Sequence, residues 1–232
     1  HIELGALLYE WNDLESAALH LKTGIEQSQR TGNLLIQSDG LRTLAIVQLA
    51  SGETNAALAT IQEADRLAES SQVSLLTRMR NAACHVQLAL AQNDLAGAEF
   101  WAEQAAEAAD TCLLYPPRLE LTPARLLLAQ NKRTQAAEKL AVLYDSASQA
   151  GWGSTVIEVR TLQALAAPNP ANALIFLKDA VAKARPEGFM RTFVDKGLPV
   201  QVLLEQLKLQ APELKGYILT ILSAFGKTHK LA

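Results

Sequence analysis

The side chains whose types and spacing could do chemistry in this 232-residue chain are Asp39, Arg42, Arg80, Gln87, Arg118, Arg125 and Glu158. Guanidinium forks donate paired hydrogen bonds to carboxylate, phosphate or hydroxyl oxygens. Such a set suits a hydroxylated or anionic small molecule, or an acidic peptide. Tyr115 and Trp152 lie near turns and could stack on a ligand, although core or edge packing is the commoner role for such rings. The competing reading is a solvated helix face carrying ordinary surface ion pairs. Exposed pairs contribute little to stability, so substituting Arg80 or Arg125 is expected to leave folding nearly unaffected.

Other chemistries find no ordered motif. "GKT" at Gly226, Lys227 and Thr228 resembles the tail of a phosphate loop, but the glycine that the loop needs is replaced by Ile221. "GWGS" at 151–154 reads as a helix stop followed by a Ser154 cap. His1, His20, His85 and His229 have no metal-ligand spacing and read as surface or helix-packing residues. Cys84 and Cys112 show no metal-type pairing either, and buried reduced thiols fit a cytoplasmic protein. No nucleophile elbow or comparable arrangement appears. The expectation is a protein that is not an enzyme and has no catalytic residues, metal site or cofactor.

Composition narrows the partners. The chain is 49% hydrophobic but only 5% aromatic, the bias that helices packed closely on helices require. Its net charge is -3, from 21 basic and 24 acidic side chains, so no basic excess exists to neutralise a phosphate backbone. No signal peptide is visible, and no apolar run approaches the roughly 20 residues that span a bilayer. Neither direct nucleic-acid binding nor membrane insertion is expected. The sequence begins at His1 inside a helical pattern, and it is read as a piece of a longer protein.

The polar residues depend on helices that a recurring corner sets out. The matches are "WNDLESAALHL", "ASGETNAALATI", "AQNDLAGAEFWA", "AQNKRTQAAEKL" and "AAPNPANALIFL", with equivalent alanines at Ala17, Ala57, Ala98, Ala136 and Ala173. Their spacings are 40, 41, 38 and 37 residues by subtraction, the signature of a helical repeat array. Asn12, Gly52, Asn93 and Asn131 suit the left-handed conformation that ends a helix. Asp13, Thr54, Asp94 and Thr134 suit capping of the next one. Pro168 and Pro170 set the fifth corner instead. The alanines permit close approach, and Leu21, Ile61, Leu140 and Leu177 fill the groove to the next pair.

The pattern predicts an all-α fold: a right-handed superhelix of about five tetratricopeptide-like helix pairs over residues 1–185. First helices are predicted near 2–10, 33–51, 73–92, 117–130 and 153–167. Second helices are predicted near 14–30, 54–71, 95–111, 133–150 and 170–185. Residues 186–232, with helices near 199–209 and 212–226, form a C-terminal helical segment that caps the solenoid. In helical-repeat arrays the first helix of each pair usually lines the concave wall. Positions thirteen, ten and six residues before each corner share one face of that helix, and they supply the polar set above. Stacking is expected to bring Arg42, Arg80, Arg118 and Arg125 around one groove, with Asp39 and Glu158 neutralising only part of their charge.

Three segments resemble something more specific. "LGALLYEWNDLESAALHLKTGI", "SQAGWGSTVIEVRTLQALA" and "PEGFMRTFVDKGLPVQVLL" are similar to the repeat domain of the large LuxR-type, ATP-dependent bacterial transcription regulators, the family of the maltose-regulon activator. The run from Pro186 to Leu204 is the most specific part, because generic tetratricopeptide proteins lack it. Those regulators carry an N-terminal nucleotide-binding module and a C-terminal helix-turn-helix, both missing from this sequence. The resemblance implies that the repeats sense a small-molecule inducer or a partner protein and couple it to oligomerisation of the parent. A pure protein-interaction scaffold with no small-molecule ligand is the alternative.

Overall fold

The computed structural model describes residues 1–69, 75–109 and 121–228. Among these residues the chain is helical and contains no strand. The helices are α1 (Ile2–Glu10), α2 (Leu14–Thr31), α3 (Leu34–Ala50), α4 (Thr54–Glu69), α5 (Leu75–Ala91) and α6 (Leu95–Ala109). They continue with α7 (Leu121–Ala129), α8 (Arg133–Gln149), α9 (Gly153–Ala166) and α10 (Pro170–Ala184). The short α11 (Arg191–Val194) precedes α12 (Leu198–Gln210), a 3-10 turn at Pro212–Leu214, and α13 (Lys215–Thr228).

Backbone chemistry at the corners explains the pairing. Asn12, Asn93 and Asn131 have φ of 62°, 58° and 59°, and Gly52 has φ 82°. At each corner this left-handed residue donates its N–H three residues back, and its successor donates five residues back. In the first corner these bonds are Asn12 N–H to the Tyr9 carbonyl at 2.8 Å and Asp13 N–H to the Leu8 carbonyl at 2.9 Å. The same two bonds close the corners at Gly52, Asn93 and Asn131, which is Schellman closure of the helix end.

Because one left-handed residue makes the whole turn, the next residue is already the N-cap. Asp13 accepts from Ser16 N–H at 3.2 Å, and Asp94 accepts from Gly97 N–H at 2.9 Å, both as expected. Thr54 and Thr134 do not cap. Thr54 is the first residue of α4 and Thr134 the second of α8, one position too late or more. The cap of α8 is Lys132, which has no acceptor to offer. Ser154 is likewise inside α9, whose N-cap is Trp152 with no side-chain cap bond. The proline corner is capped by Asn169, which accepts from Asn172 N–H at 2.9 Å.

Packing follows the alanine register. Ala17, Ala57, Ala98 and Ala136 are fully buried and Ala173 is 5% exposed, while Leu21, Ile61, Leu140 and Leu177 are fully buried beside them. Gly5 shows how close the helices come: a Cβ there would sit 2.6 Å from Leu21 Cγ, so α1 meets α2 through bare backbone.

Two compact units divide the chain, His1–Leu119 and Glu120–Ala232. In the first, each of α1 to α6 packs on the next, and α1, α3 and α5 also pack side by side as a layer of first helices. In the second, α7 to α10 pack in order, α7 touches α9, and α11 to α13 close over α9 and α10. The core there joins Leu177, Ala180 and Ala184 of α10 to Phe193, Val200, Leu204, Ile218 and Ile221. Among the described residues no helix is long and apolar enough to cross a membrane.

Candidate functional site

The expected residues that are described sit on or at the start of first helices, and five of them, Asp39, Arg42, Arg80, Arg125 and Glu158, fall into two clusters, one in each unit. In the first unit α3 presents Asp39 and Arg42 one turn apart, and α5 presents Arg80 beside them. The Arg42 guanidinium bonds Asp39 through Nη2 and donates through Nη1 to Ser38 Oγ at 3.2 Å and Asn81 Oδ1 at 3.3 Å. Arg80 Nη1 lies 3.5 Å from the same Asp39 oxygen. Burial of Arg42, reinforced by the neighbouring Arg80 charge, lowers its pKa to about 10, so it stays charged at neutral pH. Asp39 also lines a cavity of about 360 Å³ between α1, α2 and α3, whose wall includes Gln27, Ser28, Thr31 and Asn33.

This cluster continues inward through residues that register alone does not single out. Asn81 Nδ2 donates to Asp65 Oδ1 at 3.1 Å, and Asp65 Oδ2 lies 2.7 Å from His85 Nε2. The His85 ring stacks flat on Trp101, with centroids 3.8 Å apart and planes 7° from parallel. A polar chain therefore ties α3, α4, α5 and α6 together. His85 fills the helix-packing role expected for it. The available signal was a set of polar side chains, Ser38, Asn81 and His85, among the small apolar residues of first helices.

The second unit pairs Arg125 of α7 with Glu158 of α9 through Arg125 Nη2 and Glu158 Oε1. Lys196, just after α11, donates to the same Oε1 at 2.9 Å. The three side chains are only 13%, 14% and 15% exposed. Burial alone would raise the Glu158 pKa. The Arg125 and Lys196 charges and hydrogen bonds overcome it and hold the carboxyl well below the usual carboxylate range. The expectation that Arg125 belongs to an exposed, dispensable pair is therefore corrected. Neutralising one partner would strand charge in a largely buried place.

Nearby, Arg160 bonds Asp179 at 2.7 Å and lies 3.5 Å above the Tyr144 ring. Gln87 is partly exposed on α5, and Trp152 is 42% exposed at the start of α9. Arg118 and Tyr115 lie outside the described residues. The structure thus brings Asp39, Arg42 and Arg80 together, and separately Arg125 and Glu158.

Comparison with known proteins adds one finding. The sequence model of the MalT-like TPR region matches residues 1–210. No curated protein matches the chain.

Proposed function

We propose, from the premise that this chain belongs to the MalT-like TPR region family, that it is the effector-sensing domain of a LuxR-type bacterial transcription activator. In this reading the first-helix faces hold a small inducer or a partner protein, and the bound state regulates a parent that also carries nucleotide-binding and helix-turn-helix modules. The domain works in the cytoplasm, performs no catalysis, needs no cofactor, and leaves DNA binding and any oligomerisation to the parent.

The observation that carries this reading is the charge arrangement. In each unit two cations share one carboxylate: Arg42 and Arg80 on Asp39, Arg125 and Lys196 on Glu158. The second cluster sets two cations against one carboxylate, and the first, whose hydrogen bonds run on through Asn81 to Asp65, borders a cavity through Asp39. A ligand bearing oxygens can take up donors that one carboxylate does not satisfy. The scaffold alternative has its own support. Leu198, Val202 and Leu209 stand 67%, 47% and 81% exposed at helical spacing along one face of α12, a surface suited to a protein partner.

Thermal-shift screening of the 232-residue chain against sugars, metabolites and phenolics tests the choice. Arg80 is about one-third exposed and only loosely paired, so Arg80→Ala probes binding with little effect on folding. A small-molecule hit whose affinity Arg80→Ala weakens by about 1–3 kcal/mol supports sensing in the first unit. A protein partner captured with no small-molecule hit would favour the scaffold.

A further inference from the structure

We infer that the outer face of α12 is a docking seam for an amphipathic α-helix of a partner protein, one that brings a cation to Glu205. The inference rests on the scaffold reading of this surface and deepens it, and it holds with or without an effector on the first helices. Leu198, Val202, Glu205 and Leu209 follow one another at spacings of four, three and four residues. That is the heptad spacing by which helices seam together. At about 100° per residue the four positions fall within an arc of about 60°, over a length of about 17 Å.

The helix is apolar on two opposite sides. Val200, Leu204 and Leu207 are buried in the core of the second unit. Leu198, Val202 and Leu209 are exposed on the other side. Apolar residues scattered singly over a surface are ordinary, but a helix apolar on both sides belongs between two packed layers. Among the described residues only the inner side has its layer.

Glu205 selects the partner. Its side chain is half exposed, and its one partner among the described residues is Lys208, which bonds Oε2. A carboxylate within the seam excludes a wholly apolar helix, because burying its charge unmet is costly. A second copy of α12 fits poorly as well. Antiparallel pairing that sets Leu198 on Leu209 also sets Glu205 on Val202, and parallel pairing in register sets Glu205 on Glu205. A helix with apolar heptad positions and a Lys or Arg opposite Glu205 meets all four side chains.

The test uses the whole 232-residue chain and a synthetic three-heptad peptide, with Leu at its seam positions except for one central Lys. A companion peptide carries Glu in place of that Lys. Calorimetry with the native chain should show saturable binding of the Lys peptide. The Glu peptide should bind about tenfold more weakly, a difference of about 1.4 kcal/mol. Glu205→Lys should reverse that preference. Leu198→Ser and Leu209→Ser, at exposed positions, should leave the melting temperature unchanged and weaken the Lys peptide by about tenfold or more. Such a loss supports the seam even where a small-molecule hit favours sensing over a pure scaffold. Binding that survives both serine substitutions would overturn the seam and spare a scaffold role at another surface. No saturable binding of either peptide would overturn it too. Self-association of the native chain that Leu209→Ser abolishes would give the face to a second copy, against the inference.

Discussion

Glu158→Gln is the most telling single change, because it keeps the shape of the side chain and removes only its charge. In the folded chain one carboxylate oxygen serves Arg125 and Lys196, and all three side chains are at most 15% exposed. The amide can still accept a hydrogen bond, but it leaves two cations side by side without a counter-charge. Breaking a fully buried pair costs about 3–5 kcal/mol, and the slight exposure here moves the expectation to about 2–3 kcal/mol. Against a total stability of about 5–15 kcal/mol that is a large share. Urea unfolding can be followed by Trp152 fluorescence in a background with Trp11 and Trp101 changed to Phe, so the signal comes from the second unit.

The same change has a pH signature. The Glu158 pKa is depressed in the folded chain, so its contribution is fully present above the unfolded glutamate value of about 4.3. The contribution is lost as pH falls from there towards the folded value. Native and variant proteins should differ by a constant amount from about pH 8 to about pH 5, then converge below about pH 4. A variant within about 0.5 kcal/mol of native at neutral pH would refute the reasoning, since that is ordinary for surface substitutions. So would a difference that persists unchanged into acid.

Ala98 is fully buried at the pair interface, and Ala98→Leu should destabilise by about 1–3 kcal/mol through overpacking, as measured by thermal or urea unfolding. Asn131 holds φ at 59°, so Asn131→Ala should cost about 1 kcal/mol while Asn131→Gly is neutral or stabilising in the same assay. The chain carries a net charge of -3 and should show no sequence-specific DNA binding at physiological salt in an anisotropy titration.

The corners and the alanines were legible because each position tolerates few residue types. A left-handed turn accepts Asn or Gly, and a close helix crossing accepts Ala, so the period of the repeat stands out. Caps were half legible: four corners share one backbone geometry, but only Asp13 and Asp94 put a short acceptor at the cap. Spacing identified the face carrying Asp39, Arg42, Arg80, Arg125 and Glu158 but could not give its depth, which is why Arg125 was expected in an exposed pair. Lys196 escaped because it comes from outside the repeat register, where alignment on a corner has nothing to match. Asp65 escaped because it belongs to a second helix, off the first-helix face that the spacing marks out. The four residues of α11 are too few to show any periodicity.

The two clusters also follow from how a repeat distributes its chemistry. The closest crossings between the helices of a pair are filled by Ala, Leu and Ile. The two charge clusters lie in the layer where first helices of successive pairs meet. There charges on neighbouring first helices meet: Arg80 of α5 lies 3.5 Å from Asp39 of α3, which Arg42 of the same helix also bonds, and Arg125 of α7 bonds Glu158 of α9. Lys196 extends this logic to the C-terminal helices, since it holds the start of α12 to a first helix through Glu158. A ligand that competes for these donors therefore meets groups that also join one repeat to its neighbour. On the proposed sensing role, binding and the register between repeats would draw on the same hydrogen bonds, and an effector would gain a physical route to the helices beyond its own contacts.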